Sequence, residues 1–320
     1  MHDGRFAPSP SGPLHVGNLR TALLAWLFAR SHGGRFIVRI EDLDPQRSRP
    51  QHEPRQLADL RAIGIEWDGE PVRQSKRFAL YRAALGELRS AGRVYECWCT
   101  RAEIRAAAQA PHGPLPEGAY PGTCRELSER ERSERRRTAE RPPALRLDAG
   151  APRVAFRDLL AGEQEGVVDD LVLWRGDGTP AYNLAVVVDD AAQDVEQVVR
   201  GRDLLDTTAR QLFVARLLAL PQPSYAHVAL VLGPDGRRLA KRHGAVTLAD
   251  RRGAGETPAD VVAWMARSLG LAAAGERPSA ADLVERFEPE RLPPEPTVFT
   301  DAGAPPDAGA PPRPAEDRRA

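Results

Sequence analysis

The segment RFAPSPSGPLHVGNL, residues 5–19, constrains the fold of this chain more than any other. Arg5 to Ala7 can form a short strand, and three prolines and two glycines make the following turn rigid. The run LRTALLAWLFARSH then predicts a helix that has Asn18 as its N-cap and stops at Gly33. The unpaired N–H groups at a helix N-terminus attract anions, so this turn is a candidate phosphate site. The alternative is that its prolines and glycines only punctuate a turn.

Later segments alternate between strand and helix patterns. RFIVRIED predicts a buried strand that ends in carboxylates, while EPRQLADLRAIG and RFALYRAALGELRSAG have helical spacing and end at glycine. Further on, DDLVLWRGDGTPAYNLAVVVDD predicts strands around a glycine-containing turn, and LLDTTARQLFVARLLAL predicts an amphipathic helix. This order is typical of an α/β fold, a parallel sheet with crossover helices.

The charge balance gives no global reason to bind nucleic acid. The chain has 45 Lys plus Arg and 45 Asp plus Glu, so an RNA partner would need a local basic patch. Within the charge-dense stretch 125–141, the Arg-rich residues 130–141 could contact phosphates, or they could be a solvated helix with internal ion pairs. We find no secretion signal, and the apolar run 23–29 is too short to span a bilayer. We therefore expect a soluble, cytoplasmic protein with no membrane partner.

Three cysteines, Cys97, Cys99 and Cys124, do not form the even set typical of a disulfide framework. They fit either reduced thiols without metal or a metal site. Three thiolates leave a tetrahedral zinc ion one ligand short. His112 is one candidate for the fourth ligand, because histidine is a common zinc ligand.

Three motifs in order resemble those of the class I glutamyl-tRNA synthetase family. APSPSGPLHVGN resembles the family's HIGH element, with Asn18 in place of the second histidine, and RIEDLDPQRS is typical of the glutamyl branch. RLAKR at 238–242 is similar to the KMSKS loop, although Arg238 and Ala240 replace its first lysine and its serine. The resemblance covers residues 4–270. It implies a Rossmann-like, doubly wound parallel sheet with a zinc-containing insertion and a small C-terminal helical region.

The resemblance also implies a reaction and its residues. Glutamate would be activated by ATP, with Mg²⁺, to glutamyl-adenylate, a reaction that depends on positioning and charge stabilisation. The implied catalytic residues are His15, Asn18 and Lys241, and the implied ATP-binding residues are these three together with Gly17. The implied glutamate-binding residues are Arg5, Phe6, Ala7, Pro8, Ser9, Glu41, Tyr182 and Arg200.

Within that set, we expect Arg5 to pair with the side-chain carboxylate of glutamate and Glu41 to take its ammonium group. Lys241 would neutralise charge on the leaving phosphates. The alternatives are a surface salt bridge for Arg5, a half-buried core position for Tyr182 and a solvated basic loop for RRLAKRHG.

For the cysteines, the resemblance implies a C-x-C…Y-x3-C zinc site. Tyr120 would then complete the ligand set of Cys97, Cys99 and Cys124, with His112 as the rival. The role of one zinc ion would be structural, because it would pin an insertion that lacks a core of its own.

The resemblance is closest to a shortened branch of the family, which lacks the helical anticodon-binding region. Such enzymes activate glutamate without tRNA and transfer it onto queuosine in the anticodon of tRNA(Asp). The alternatives are a truncated enzyme that charges tRNA(Glu) and a catalytically silent tRNA-binding paralogue. We expect a monomer.

These expectations divide the chain into five parts. Residues 1–93 and 166–250 would form the two halves of the catalytic domain, the second with the KMSKS-like loop. Residues 94–165 would form the zinc-containing insertion and 251–291 a small helical region. The Pro/Ala-rich residues 292–320 would be a disordered tail, because they offer too little apolar surface to offset the entropy of ordering.

Overall fold

A computed structural model describes residues 2–100, 102–104 and 119–300, without the side chain of Lys241. Among these residues the strands are β1 (Gly4–Phe6), β2 (Phe36–Ile40), β3 (Val72–Arg73), β4 (Val94–Cys97), β5 (Ala144–Leu147), β6 (Arg153–Asp158), β7 (Gly162–Val167), β8 (Val172–Trp174), β9 (Gln197–Gly201), β10 (Ser224–Val228), β11 (Val231–Leu232) and β12 (Thr297–Val298). The helices are α1 (Val16–Arg30), α2 (His52–Ala62), α3 (Phe78–Ser90), α4 (Glu129–Thr138), α5 (Tyr182–Ala192), α6 (Thr208–Leu217), α7 (Leu248–Gly253), α8 (Pro258–Ser268) and α9 (Ala280–Arg286). Short 3-10 turns lie at Gln74–Lys76, Arg202–Thr207, Lys241–His243 and Pro289–Arg291.

The main sheet has seven strands in the order β3-β2-β1-β9-β10-β6-β7. Its neighbours pair in parallel, except for the antiparallel hairpin β6–β7. The strand order reverses between β1 and β9, and in open parallel sheets a ligand cleft forms at the carboxyl ends beside such a reversal. The predicted α/β class with a doubly wound parallel sheet is confirmed.

Two apolar cores flank this sheet, because successive residues of a strand face opposite sides. Val199 of β9 belongs to the core that contains α1, α8 and α9, whereas Val198 belongs to the core that contains α3, α5 and α6. Helix α1 is buried along most of its length, which explains its nearly continuous apolar sequence. Within the described residues, no helix has the length and apolar character that crossing a bilayer needs.

The predicted N-terminus of α1 is wrong by three residues. The N-cap is His15, not Asn18, and the helix begins at Val16. Asn18 occupies the third helical position, where its backbone N–H donates to His15 Nδ1 and its side-chain oxygen accepts the His15 backbone N–H. Histidine thus plays the part that serine or threonine plays in an ordinary capping box.

The strand predicted in YNLAVVVDD is also wrong, since these residues form helix α5. The run from Leu184 to Asp190 is buried, so its apolar character shows no periodicity that would distinguish a helix from a buried strand. The preceding segment does form a strand, β8.

The predicted boundaries of the insertion differ from those of the sheets. Hairpin β6–β7, placed in the insertion by the expected range 94–165, extends the main sheet through the pairing of Asp158 with Tyr225 on β10. Strand β8, placed in the catalytic half 166–250, instead pairs with β5 in the small antiparallel sheet β4-β5-β8. The small sheet therefore draws on both expected parts.

The disorder predicted from Leu292 is wrong for residues 292–300. Strand β12 pairs in parallel with β11, and Phe299 is buried edge-on against Trp264 of α8. One aromatic contact and one strand pair supply the apolar burial that composition alone did not predict. The remaining residues of the expected tail, 301–320, lie outside the described part of the chain.

Candidate active site

A cavity of about 1090 Å³ opens at the carboxyl ends of β1 and β9, beside the reversal of strand order. His15 and Asn18 line this cavity. So do all eight residues predicted to bind glutamate, which are Arg5, Phe6, Ala7, Pro8, Ser9, Glu41, Tyr182 and Arg200. Gly17 is absent from the lining. The structure thus brings residues from β1, the turn after it, the end of β2, α5 and β9 to one space.

The capping geometry of His15 decides which ring nitrogen can reach a ligand. Nδ1 accepts the backbone N–H of Asn18 at 3.2 Å, so the neutral ring carries its proton on Nε2. Burial, with the nearby positive charge of Arg238, lowers the His15 pKa to about 4. At neutral pH, His15 therefore presents an uncharged Nε2–H donor at the N-terminus of α1.

Gly17 supports this arrangement from below the ring. A β-carbon at this position would lie 3.0 Å from His15 Nδ1 and 3.2 Å from Val231 Cβ. Any larger residue would press on the histidine, so glycine is needed here for close packing rather than for an unusual backbone angle.

Gln56 of α2 was missed by the sequence analysis, although it lines the cavity. Its Nε2 donates to the carbonyls of Ser9 and Gly12 at 3.0 and 2.7 Å, and its side chain is almost wholly buried. These two bonds fix the turn after β1. A single glutamine in a helical pattern does not by itself indicate a site residue. Its burial against the turn is visible only in the folded structure.

Arg5 lies on top of a buried charge cluster. Its Nε is 3.4 Å from Asp190 Oδ1, an oxygen that also accepts Arg39 Nη1 at 2.7 Å. Burial opposes the charge of Asp190, but Arg39 and Arg5 hold its pKa below the ordinary value. The alternative considered for Arg5, a surface salt bridge, does not apply, because both partners of this ion pair are buried.

The Arg5 guanidinium keeps capacity for a ligand. Its Nη1 donates to the carbonyl of Val199 at 3.3 Å, and Nη2 has no hydrogen-bond partner among the described residues. A buried arginine that lines a cavity with an open donor suits an incoming carboxylate.

Glu41 supplies the opposite charge on the same side of the cavity. Its Oε1 is 3.5 Å from Arg39 Nη2, and its side chain is mostly buried. Burial raises the Glu41 pKa, although Arg39 and Arg5 oppose that shift. An ammonium group placed here would restore the lost solvation of the carboxylate.

Tyr182 and Arg200 also line the cavity. Tyr182 is 37% exposed although it opens a buried helix, because its ring faces the cavity, and its hydroxyl accepts Arg200 Nη1 at 3.4 Å. Arg200 itself is buried. The half-buried core position considered for Tyr182 is therefore replaced by a place on the cavity wall.

The basic loop after β11 forms the wall nearest His15. Arg237, Arg238, Leu239, Ala240 and Arg242 line the cavity there. Arg238 Nη1 lies 2.5 Å from Asp203 Oδ2, so one carboxylate already neutralises part of this wall. Lys241 begins the turn Lys241–His243 between two lining residues, and its side chain lies outside the described part of the structure.

Away from the cavity, the three cysteine sulfurs form a compact cluster, within 4.8 Å of one another. The Tyr120 hydroxyl is 3.4 Å from Cys97 Sγ and 3.5 Å from Cys99 Sγ. A tetrahedral zinc with bonds of about 2.3 Å to sulfur and 2.0 Å to oxygen separates such atoms by about 3.5 Å. The donor set therefore fits zinc, and Tyr120 is at the distance of a fourth ligand. His112 lies outside the described residues.

Helix α4, within the charge-dense stretch 125–141, has no buried residue, and all its residues except the half-buried Arg132 are exposed. Arg136 pairs with Glu96 and Glu129, and Arg137 pairs with Glu134. Arg130 and Arg135 have no ion pair among the described residues. The solvated-helix interpretation therefore explains part of this segment without RNA.

Comparisons with known proteins agree on one family. A family model described as "tRNA synthetases class I (E and Q), catalytic domain" matches residues 3–300. A Nocardia farcinica protein named glutamyl-Q tRNA(Asp) synthetase is 61% identical over 300 residues, 94% of both chains. A Symbiobacterium thermophilum protein of the same name is 50% identical over 92% of this chain and 94% of its own.

Longer relatives are less similar. The glutamate–tRNA ligase of Oleidesulfovibrio alaskensis is 38% identical over 90% of this chain, which spans 61% of that relative's length. Among solved structures, a glutamate tRNA ligase from Elizabethkingia meningosepticum, in complex with its amino acid, matches with a TM-score of 0.79 and 28% identity. The match covers 94% of this chain and 68% of that one.

Proposed function

Because the chain belongs to the family of class I tRNA synthetases for glutamate and glutamine, an aminoacyl-tRNA synthetase type of ligase, we propose that it activates L-glutamate and transfers it onto queuosine in the anticodon of tRNA(Asp). Activation proceeds without tRNA. Cytoplasmic location, a monomeric state and Mg²⁺ carried by ATP belong to the same proposal.

One observation carries the amino acid part of this proposal. The cavity is lined by a buried guanidinium, Arg5, and a mostly buried carboxylate, Glu41, together with the helix N-terminus at His15. Glutamate carries a side-chain carboxylate and an ammonium group, which match this pair of charges. Its α-carboxylate is then free to face the phosphates of ATP.

Activation joins that α-carboxylate to the α-phosphate of ATP and expels pyrophosphate. The His15 Nε2–H and the N-terminus of α1 would bind phosphate oxygens, and Lys241 would neutralise charge on the leaving group. In the second step a queuosine hydroxyl attacks the carbonyl carbon of glutamyl-adenylate. The bond to AMP breaks, and the hydroxyl proton is released.

The proposed acceptor, queuosine, is argued from the names of the more similar relatives. The proteins named glutamyl-Q tRNA(Asp) synthetase are 50% and 61% identical to this chain, whereas the glutamate–tRNA ligase of Oleidesulfovibrio alaskensis is 38% identical. This difference favours queuosine over the terminal ribose of tRNA(Glu).

For the cysteine cluster, we propose one structural zinc ion bound by Cys97, Cys99, Cys124 and Tyr120. The ion would hold the segment after β4 against the small sheet. Arg146 of β5 lies 3.7 Å above the Tyr120 ring, where its positive charge would balance the thiolates.

The function is tested in two assays. The first measures exchange of labelled pyrophosphate into ATP, which should depend on glutamate and not on tRNA. The second incubates labelled glutamate and ATP with tRNA(Asp) containing queuosine, tRNA(Asp) lacking it, and tRNA(Glu). Label on the first tRNA alone supports the proposal, while label on tRNA(Glu) identifies an ordinary glutamyl-tRNA synthetase. Absence of glutamate-dependent exchange refutes activation itself.

A further inference from the structure

Beneath the cavity, a buried Asp–His pair contacts Arg200. His227 on β10 and Asp158 at the end of β6 have fully buried side chains, and His227 Nδ1 lies 2.6 Å from Asp158 Oδ2. The other ring nitrogen, Nε2, lies 2.9 Å from Arg200 Nε. The sequence analysis did not identify either residue, since they are 69 positions apart and belong to no motif.

The partners of the ring decide its protonation. Arg200 Nε can only donate, so His227 Nε2 must accept, and the ring proton must sit on Nδ1, facing the carboxylate. Burial lowers the His227 pKa, against the opposing effect of Asp158, so the ring is neutral at physiological pH. Asp158 therefore selects the one tautomer that can hold Arg200.

The second carboxylate oxygen of Asp158, Oδ1, fixes the orientation of this side chain. Oδ1 accepts backbone N–H groups from Leu160, Ala161 and His227 at 3.0, 2.8 and 3.2 Å. The His227 ring stacks on Tyr225, with ring centres 5.9 Å apart and planes 7° apart. Neither member of the pair can turn without breaking these contacts.

Every nitrogen of the Arg200 guanidinium donates a hydrogen bond, so these partners, His227 among them, fix its position. The guanidinium contacts His227 Nε2, Gln211 Oε1, Thr208 Oγ1, Thr207 Oγ1, the Leu204 carbonyl and the Tyr182 hydroxyl. Of these, the 3.4 Å contact to Tyr182 is the longest, and Tyr182 supplies the one partner side chain that also lines the cavity among the described residues. An incoming carboxylate can replace it only if the remaining contacts keep the guanidinium in place.

We propose that Asp158 and His227 are positioning residues for the amino acid site, in which Asp158 fixes the His227 tautomer and His227 Nε2 holds Arg200 against the cavity wall. This inference rests on the proposed function, because it takes glutamate as the occupant of that wall. Neither residue touches the substrate.

Asp158→Asn is the sharpest test. The amide keeps an oxygen for the three backbone donors but puts an NH₂ group opposite His227 Nδ1. The ring must then carry its proton on Nε2, facing the Arg200 N–H. We expect the KM for glutamate in pyrophosphate exchange to rise at least about tenfold, the effect of one lost hydrogen bond to a charged group. The KM for ATP should stay within about twofold, because His15 and the basic loop are untouched.

Two substitutions of His227 separate positioning from packing. In His227→Gln, the side-chain oxygen can occupy the place of Nε2 and accept from Arg200, so the KM for glutamate should recover towards the original value. In His227→Asn, the amide reaches only the place of Nδ1, so the KM should rise as in Asp158→Asn. Glu163→Gln is the matched control, since Glu163 lies on the same hairpin with an 80% exposed side chain.

A nitrogen NMR spectrum of histidine-labelled protein adds a readout that does not depend on activity. The chain has seven histidines, and the His227→Gln spectrum assigns the signal of His227. We expect a protonated Nδ1 in the original protein and a protonated Nε2 in Asp158→Asn.

Four results would contradict either the positioning role or the proposed function. An unchanged glutamate KM in folded Asp158→Asn and His227→Asn overturns the positioning role, as does an equal rise in both KM values in all three variants. A protonated Nε2 in the original protein overturns the tautomer on which the role depends. An original protein that lacks glutamate-dependent exchange but shows a protonated Nδ1 refutes the proposed function and, with it, glutamate as the occupant, while the Asp158–His227–Arg200 arrangement stands.

Discussion

At the scale of single residues, His15 combines two duties that usually fall to different side chains. Its Nδ1 caps α1 through the Asn18 N–H, which leaves Nε2–H as a donor for a ligand. A pKa near 4 keeps the ring neutral, so its role does not change across the physiological pH range. The cap therefore fixes both the position and the tautomer of the group that would meet phosphate.

His15→Asn separates these duties. Asparagine is a good N-cap, so helix α1 should keep its stability to within about 0.5 kcal/mol, but its amide is too short to replace Nε2. We expect pyrophosphate exchange to fall at least about tenfold, measured with both substrates saturating. His15→Ala should lose about 1 kcal/mol of unfolding free energy in addition. Full activity in His15→Asn would show that Nε2 contacts nothing that matters to the reaction.

At the scale of elements, the site depends on a turn held by a neighbouring helix. The turn after β1 has no regular structure of its own, and Gln56 of α2 binds its carbonyls at Ser9 and Gly12. Both hydrogen bonds are partly buried, so their loss would cost about 1 kcal/mol each and release the turn. Helix α2 is therefore part of the site although it supplies no predicted ligand contact.

Gln56→Met preserves the side-chain volume but removes both donors. We expect kcat/KM in pyrophosphate exchange to fall about tenfold for glutamate and for ATP together, because the turn forms a wall for both. Arg55→Ala, at an exposed position of the same helix, is the control and should leave both values unchanged. Normal kinetics in Gln56→Met would mean that the prolines alone keep the turn in shape.

At the scale of the whole molecule, the cysteine cluster stands apart from the two cores that flank the main sheet. It forms a third core with Tyr95 and Trp98, tied to the rest by ion pairs and hydrogen bonds through Asp169 and Asp170. A core this small has little apolar surface to stabilise it without metal or disulfide.

Zinc removal should therefore loosen this region and spare activation. We expect elemental analysis to find about one zinc ion per chain, and Cys97→Ser to lose it and become sensitive to protease near the small sheet. Pyrophosphate exchange should remain within about threefold of normal, since the cavity lies on the main sheet. Tyr120→Phe tests the oxygen ligand, and undiminished zinc affinity in that variant would point to a different fourth ligand. A metal-free protein from chelator-free preparation would contradict the site altogether.

The motifs that could be predicted from the sequence are those whose residues lie close together along the chain. The turn before α1, the His15–Asn18 spacing and the pair Cys97–Cys99 each depend on a few consecutive residues, so their residue types limit the local geometry directly. The family resemblance then placed distant motifs in one cavity, and the predicted glutamate residues do line a common space. Their roles in catalysis stay predictions.

Sequence determined the α/β class, the rigid first turn and the close pair Cys97–Cys99, because backbone preference and short-range spacing act before the chain folds. Tertiary structure alone decided that YNLAVVVDD is a helix, that hairpin β6–β7 extends the main sheet, and that Asp190 lies under Arg5, 185 positions away. A buried apolar run fits a strand or a helix equally well, and only its packing chooses between them. A charge selects its partner only once burial has removed water as the competitor.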